Sequence, residues 1–448
     1  MKFEELVQNC VSNIVELCCN SIEEKQEFSD IVLKTQEEVN SLGIKVLEWI
    51  IDSIEKNFDA YRDKHKIVVR NKNKIRHLLT PLGVIKINHT LYFDKERENY
   101  FFAVDEILKL EKRSRIDQVV KSQLVSAATQ SSFGKAASMN GNISRQSVFN
   151  LIKKLRNIEA PIKTTMAQSK VPNVYVEADE DHIHLTSGNA AEVKLIYVHE
   201  GYDAQTPGRV KLKNPRYFAS TCDDADTIWN DVAEYVSSSY GTFGDKVHLS
   251  GDGANWIRQG LRAMPLSMYH ADRFHINKAL IIVSRGNKRM LSEIRQCVYS
   301  GDDKRFLDIL QKRYVNDKMS KLIYDNVAYL WRNMDYISTE HRCCAEGHVS
   351  HVLSARMSSR PMGWSIEGAE RIARLRCFMF NGGNFLSLIK NQSQVQLEED
   401  RKATEIQTKR YNIVERAIHN RYYVKSGNIC SGLRELLDSD KSFNYKFI

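Results

Sequence analysis

The sequence predicts an α/β fold, α+β over the whole chain, and three observations predict it. Segments of alternating β-type residues gather in one block between Asn173 and His270. Three such segments come first in that block, and the later ones alternate with helical segments. On both sides of the block, one small basic β unit apart, apolar residues recur at three- and four-residue steps, the spacing of amphipathic helices.

Residues 1–66 read as helices. Leu42, Val46, Trp49, Ile50, Ile54, Phe58 and Tyr61 form one apolar stripe, suited to packing or dimerisation. Residues 67–115 form the small basic β unit. Val84, Ile85, Ile87, Leu91, Tyr92 and Phe93 are strand formers, and Pro81, Gly83 and Asn88 supply turns. Lys66, Arg70, Lys72, Lys74, Arg76 and Lys86 make a patch suited to phosphate, or a solvated basic face. Residues 116–169 return to helix, and Phe133–Leu155 has the pattern of a helix-turn-helix. Ala136 and Ala137 allow close crossing, Asn140, Gly141 and Asn142 form the turn, and Ser144 is the N-cap. Val148, Leu151, Ile152 and Leu155 give the second helix its buried face. Arg145, Gln146 and Asn150 on its other face are of the kinds that read DNA base edges.

The central block, 170–284, carries strands at 173–185, 191–199, 216–221, 246–250 and 266–270, with helices at 224–238, 255–263 and from Asp272. The order β-β-β-α-β-α-β-α is that of the ribonuclease H-like fold. Residues 285–342 read as a charged helical insertion, 343–385 as the last helices of the core, and 386–448 as a helical tail.

Composition narrows the class. A chain of 448 residues with 42% hydrophobic and 27% charged residues fits a globular protein of two or three domains. No apolar run approaches the ~20 residues that span a bilayer, so no membrane partner is expected. The acidic start M-K-F-E-E-L-V is unlike a signal peptide. Nine cysteines without a C-x-x-C pair argue against a disulfide framework or zinc ribbon and for a reducing cytoplasm. The net charge of +9 permits nucleic acid as a partner.

The chemistry-bearing stretch is V-Y-V-E-A-D-E-D-H-I-H-L, Val174–Leu185, a strand that contains Glu177, Asp179, Glu180 and Asp181. Acids this close repel one another and resist burial unless a positive charge joins them, and a divalent cation is the simplest one. Asp252 stands between two glycines at a strand end, where α/β sheets place functional groups. Glu346 opens a late helix. In the ribonuclease H-like order the first and fourth strands are neighbours, which sets Asp179 against Asp252. Two magnesium ions about 4 Å apart would join such a set, with manganese as a substitute. His182, His184, His270, His275, His348 and His351 suggest metal ligands as well, but a hydrogen-bonded structural role is commoner for each. Trp364 suits a core position or the stacking of an unpaired base.

These strings, with D-R-F-H at 272–275, E-G-H-V-S-H-V-L-S-A-R-M-S-S-R-P at 346–361 and G-W-S-I-E-G-A at 363–369, resemble the ISLre-two family of bacterial insertion-sequence transposases, a Mutator-like branch of the Asp-Asp-Glu enzymes. The resemblance runs from near Leu79 to about Asn384. It implies binding to terminal inverted repeats, metal-dependent strand cleavage, and strand transfer into target DNA. It implies Asp179, Asp252 and Glu346 as catalytic residues and metal ligands, with Asp272 and His275 in support. The arginines Arg371 and Arg374 are expected at DNA, and assembly on DNA as a homodimer or higher, at the nucleoid, is expected with them. Two positions stay open. Asp181 shares the strand face of Asp179, although in similar enzymes the first Asp follows a small residue, as Asp179 follows Ala178. The last acid could be Glu367 or Glu370, although Glu346-Gly347 better matches an E-G pair opening a helix with a later Arg. The competing readings are a transposase-derived DNA-binding protein without chemistry and a ribonuclease H-type nuclease without strand transfer.

Overall fold

The computed structural model describes residues 3–139, 143–162, 171–203, 211–222, 224–241, 246–314, 319–338 and 343–392. The chain divides into two compact units, Met1–Leu388 and Ile389–Ile448, and every helix and strand named here lies in the first. The turn expected at 140–142 lies outside the described residues, as does the expected tail from 393 onward.

Two helices open the chain, α1 (Phe3–Glu23) and α2 (Phe28–Tyr61). A three-stranded antiparallel sheet comes next, β1 (Ile67–Thr80), β2 (Gly83–Asp94) and β3 (Asn99–Phe102), closed by the short α3 (Ala103–Ile107). Ile51 of α2 is buried with Leu78, Ile85, Ile87 and Val104, and Ile44, Leu47 and Ile54 pack against them. The buried face of α2 is therefore rotated from the expected stripe, and Ile50 and Tyr61 are exposed. A wide apolar surface lets more than one stripe fit the helical period, and only the partner sheet selects one. Three further helices are α4 (Gln118–Gln130), α5 (Phe133–Ser138) and α6 (Arg145–Lys153). Each starts on a short polar residue whose side chain accepts an otherwise unpaired N–H: Asp117, Ser132 and Ser144. Ala136, Ala137, Val148 and Ile152 are buried between them.

The central sheet has β4 (Val174–His184), β5 (Ala190–His199), β8 (Arg216–Ser220), β9 (Val247–Gly251) and β10 (Met268–Ala271), with β6 (Tyr202–Asp203) and β7 (Lys211–Leu212) as a small ribbon beside it. Its strand order is β10-β9-β4-β5-β8. β4 runs parallel to β9 and antiparallel to β5, β9 parallel to β10, and β5 antiparallel to β8. β4 is thus the middle strand.

The two faces of this sheet differ. Val174, Val176, Ala178, Ile196, Val198, Val247 and Leu249 point to an apolar core shared with α7 (Ala225–Tyr240). The short helices α8 (Asn255–Arg258) and α9 (Gly260–Ala263) complete that layer. One helix was expected there. It is interrupted at Gln259, and the next residue, Gly260, packs so close to the Trp229 ring that an added Cβ would meet it at 2.8 Å. The opposite face carries Tyr175, Glu177, Asp179 and Asp181 from β4, paired in register with His199, Tyr197, Leu195 and Val193 of β5. Period two explains the division: even positions of β4 feed the core and odd positions form the polar face, although Glu180, at an even position, is polar.

The sheet leads into a helical array: α10 (Arg273–Ser284), α11 (Lys288–Ser300), α12 (Asp303–Tyr314) and α13 (Lys321–Asn333). It has its own core of Ile276, Leu280, Val283, Ile294, Phe306 and Leu330. The chain then returns to the polar face through one helical run, α14 (Ala345–Val349), a π turn (Ser350–Ser354) and α15 (Ala355–Met357), and ends the described part with α16 (Ile366–Phe380) and residues up to 392. Among the described residues no helix is long and apolar enough to cross a membrane.

Candidate functional site: an acidic face on the middle strand

Asp179 sits at the centre of the polar face and is 7% exposed. Its Oδ1 accepts the Glu180 N–H at 2.9 Å. Its Oδ2 is buried and has no hydrogen-bond partner. Burial pushes its carboxyl up to about 6; the Glu180 N–H and nearby His275 act the other way, and Asp252 and Glu346 raise it further. The structure therefore brings Asp252, Glu346 and His275 within electrostatic reach of Asp179. Among the described residues, no three His, Cys, Asp or Glu side chains stand close enough to hold one metal ion.

Asp252 follows β9 in the turn Gly251-Asp252-Gly253, and its Oδ1 accepts the Ala254 N–H at 2.8 Å. Both glycines are needed. A Cβ on Gly251 would meet Ile257 at 2.8 Å and the Ala178 carbonyl at 3.0 Å. Gly253 has φ +89, and a Cβ there would meet Asn333 Oδ1 at 2.7 Å. Asp272 caps α10 by accepting the Phe274 N–H at 2.9 Å, and its other oxygen meets His275 Nδ1 at 3.0 Å. Burial lowers the His275 pKa, but the bond to Asp272 and the charges of Asp272, Asp179 and Asp252 raise it overall. His275 is thus the histidine whose positive charge these acids favour.

The other acids of β4 are committed. Glu177 is 1% exposed and receives four donors. His199 Nε2 and the Tyr202 hydroxyl reach Oε1 at 3.0 Å each, while the Tyr197 hydroxyl and the Cys344 N–H, the latter at 2.6 Å, reach Oε2. Burial pushes its pKa up, but His199, Tyr197 and Cys344 together hold it below the usual range. Asp181 accepts from the Ser358 hydroxyl at 2.9 Å. Glu180 takes the Trp256 indole N–H at 2.5 Å. Of Asp179 and Asp181, then, it is Asp179 that keeps a bare oxygen.

The alternatives to Glu346 separate as well. Glu370 is tied to Ser220, Thr221 and Arg374. Burial raises its pKa, yet those donors lower it overall. Glu367 is exposed and pairs with Arg371 at 3.7 Å. Arg371 and Arg374, expected at DNA, are both engaged along their own helix. Arg76 of the basic patch is also engaged, inside the N-terminal sheet with Asp105. Arg145, Gln146 and Asn150 are exposed on α6, with Gln146 donating to Asn150 at 3.0 Å. His348 meets the Tyr217 hydroxyl and His270 meets His248, each at 3.0 Å, while His182, His184 and His351 are exposed. Trp364 is buried, and its indole donates to the Met357 carbonyl at 2.9 Å.

Sequence reasoning missed the partners of these acids, Tyr197, His199, Tyr202 and Ser358, and also the buried Arg356 and Arg376, which hold backbone carbonyls. Arg376 donates to the carbonyls of Val352, at 2.6 Å, and His351, both in the π turn. Arg356 donates to the Ala128 carbonyl of α4 at 3.0 Å and lies over the Trp364 ring. The signal that could have found part of this was the spacing of Glu177, Asp179 and Asp181, which puts three acids on one strand face.

Residues 21–394 match the profile of an Uncharacterised protein family, UPF0236. A UPF0236 protein of Caldanaerobacter subterraneus subsp. tengcongensis is 33% identical over 390 residues, covering 84% of each chain. Another from the same strain, 33% identical over 400 residues and covering 85% of each chain, bears eleven designations under one name. The UPF0236 protein in the vanSb 3' region of Streptococcus gallolyticus is 23% identical over 316 residues, 64% of this chain and 69% of that one. A solved simian T-cell lymphotropic virus intasome in complex with a PP2A regulatory subunit matches 55% of this chain and 78% of that chain at 8% identity, with a TM-score of 0.15, too low to show a shared fold. By profile and by relatives, the chain belongs to the UPF0236 family.

Proposed function

We propose that this protein is the transposase of a bacterial insertion sequence, cutting DNA at terminal inverted repeats and joining the 3′ ends to target DNA. The observation that carries the reading is Asp179: a buried carboxylate with a bare oxygen on the middle strand, under the influence of Asp252 and Glu346 from two other elements. Three further features support it. The sheet order, with a single strand running against the others, is the one expected of a ribonuclease H-like fold. The helices α4 to α6, with exposed Arg145, Gln146 and Asn150, suit a helix-turn-helix reading of DNA. A relative carried under eleven designations in one strain is what a self-copying element leaves behind.

In this reading Asp179, Asp252 and Glu346 would hold magnesium or manganese. Their hard carboxylate oxygens, one of them bare, suit such ions. The ions would supply an activated water or 3′-hydroxyl and offset charge on the leaving oxygen. The chain itself buries most of Asp179, fixes Asp252 through two glycines, and sets His275 on Asp272 beside them. A second reading, a DNA-binding protein without chemistry, is favoured by the absence of a closed three-ligand group among the described residues.

The test is magnesium-dependent cleavage of a labelled duplex carrying the inverted repeats that flank the coding region. Asp252→Asn and Glu346→Gln should each lower cleavage at least about a thousandfold, about 4 kcal/mol of barrier, while repeat binding persists. A wild-type protein that binds the repeats and never cuts them would favour the second reading. Full cleavage by Glu346→Gln would move the last acid to Glu367.

A further inference from the structure

Glu177, Asp179 and Asp181 share one face of β4, and only the middle one keeps a bare oxygen. The outer two are taken up by the helical run that carries Glu346. Glu177 accepts the backbone N–H of Cys344 at 2.6 Å, immediately before the run begins at Ala345. Asp181 accepts from the hydroxyl of Ser358 at 2.9 Å, immediately after it ends at Met357. We propose that Glu177 and Asp181 are positioning residues, which tie both ends of this run to β4 so that Glu346 is held against Asp179. The inference rests on the proposed function only in that Asp179 and Glu346 act together.

The run needs such ties. α14 has 5 residues, the π turn 5 and α15 3. Short helices hold poorly by themselves, and π turns occur mostly as single turns inside helices, often at functional sites. Glu346 is exposed, so its backbone sets where it stands. Glu177 is a firm anchor because His199, Tyr197 and Tyr202 already fix its two oxygens. A gap of about 1 Å between reacting groups costs up to about 100-fold in rate, so a loose helix would be felt in cleavage.

The substitutions that test this keep Asp179, Asp252 and Glu346 intact, in the full chain. Asp181→Ala and Ser358→Ala should each slow cleavage of the repeat duplex about 10- to 100-fold without weakening repeat binding. The double variant should be no slower than Asp181→Ala alone, because that substitution already removes the bond from Ser358. Asp181→Asn, whose Oδ1 still accepts the Ser358 hydroxyl, should stay within about threefold of wild type. An inert Asp181→Asn beside a fully active Ser358→Ala would make Asp181 a metal ligand and overturn the tether.

Glu177→Gln leaves one acceptor oxygen where four donors converge, so the backbone N–H of Cys344 is held less firmly. Amide hydrogen exchange of Cys344 and of the 345–357 run should be at least about tenfold faster in Glu177→Gln. Exchange as slow as in wild type would overturn the role of Glu177. Should wild-type protein cut no DNA, the functional reading fails separately. Amide hydrogen exchange over 345–357, faster in Ser358→Ala if the tether is real and unchanged if it is not, then still decides the inference.

Discussion

The N-terminal sheet and the central sheet both bury carboxylates, and they treat them in opposite ways. In the N-terminal sheet, Arg76 of β1 donates to both oxygens of Asp105 at 3.0 Å and also to the carbonyls of Ser114 and Glu111. Glu55 of α2 lies in the same interior, accepting the Thr90 N–H and the Tyr92 hydroxyl on one oxygen. Its other oxygen is as bare as that of Asp179. A bare buried oxygen alone therefore does not mark a site. What differs is the surrounding charge. Burial raises both carboxyls; against it Asp105 has the Arg76 guanidinium, with Glu55 adding to the rise, whereas Asp179 has one N–H and one histidine against two further acids. The first arrangement is closed by the chain itself. The second is short of positive charge, which is the condition for binding a cation.

The largest stability effect should fall on the closed arrangement. Arg76→Met leaves Asp105 buried without its partner, along with two carbonyls that had accepted from the guanidinium. Removing one member of a buried pair costs about 3–5 kcal/mol. Urea unfolding followed by circular dichroism should show the loss, and repeat cleavage below the new midpoint should be unchanged. A neutral Arg76→Met would mean that the N-terminal sheet tolerates an uncompensated acid, and the contrast with Asp179 would lose its meaning.

A smaller effect is expected at the exposed face of α6. Arg145 stands free of the core, one residue after the Ser144 cap. Arg145→Ala should weaken binding to the terminal repeat by about 1–3 kcal/mol and relax the preference at one base pair. Fluorescence anisotropy with the repeat and with random duplex checks it. Equal weakening on both would make Arg145 a phosphate contact and leave base reading to Gln146 and Asn150.

The sequence allowed the central sheet to be read closely, because its alternation is strict and its faces are unlike. Strands expected at 173–185 and 191–199 appear as Val174–His184 and Ala190–His199. Ser144 was legible as a cap because capping is local chemistry. The buried face of α2 was not, since periodicity cannot choose among overlapping stripes before the partner sheet is known. Nor could sequence separate Asp179 from Asp181. Both lie on one face of one strand, and the difference between them is Ser358, 177 residues away along the chain. Arg76 read as part of the basic patch because a basic residue reads as free until the acid that holds it is located; Arg371 and Arg374 pair with Glu367 and Glu370 one turn away on their own helix.

The smallest expected effect sharpens the comparison most. Asp179 has a folded pKa of about 6 against an ordinary value of 3.8, so between those values the folded protein binds a proton that the unfolded chain has lost. The stability Asp179 contributes is fully present below its unfolded pKa. It is lost as pH rises through about 6, and above that the ionised carboxylate burdens the fold. Asp179→Asn keeps the shape and, through Oδ1, the bond from the Glu180 N–H. A shift of this size corresponds to roughly 3 kcal/mol, and screening by water on the open side beside Glu346 leaves about 1 kcal/mol. Asp179→Asn should therefore be more stable than wild type by about that much at pH 8 and equal to it near pH 4. Magnesium at millimolar concentration should stabilise wild type and not the variant, because only the carboxylate is short of positive charge. Urea midpoints at the two pH values, with and without magnesium, measure both differences. A variant less stable than wild type at pH 8 would show that the surroundings of Asp179 already favour its ionised form.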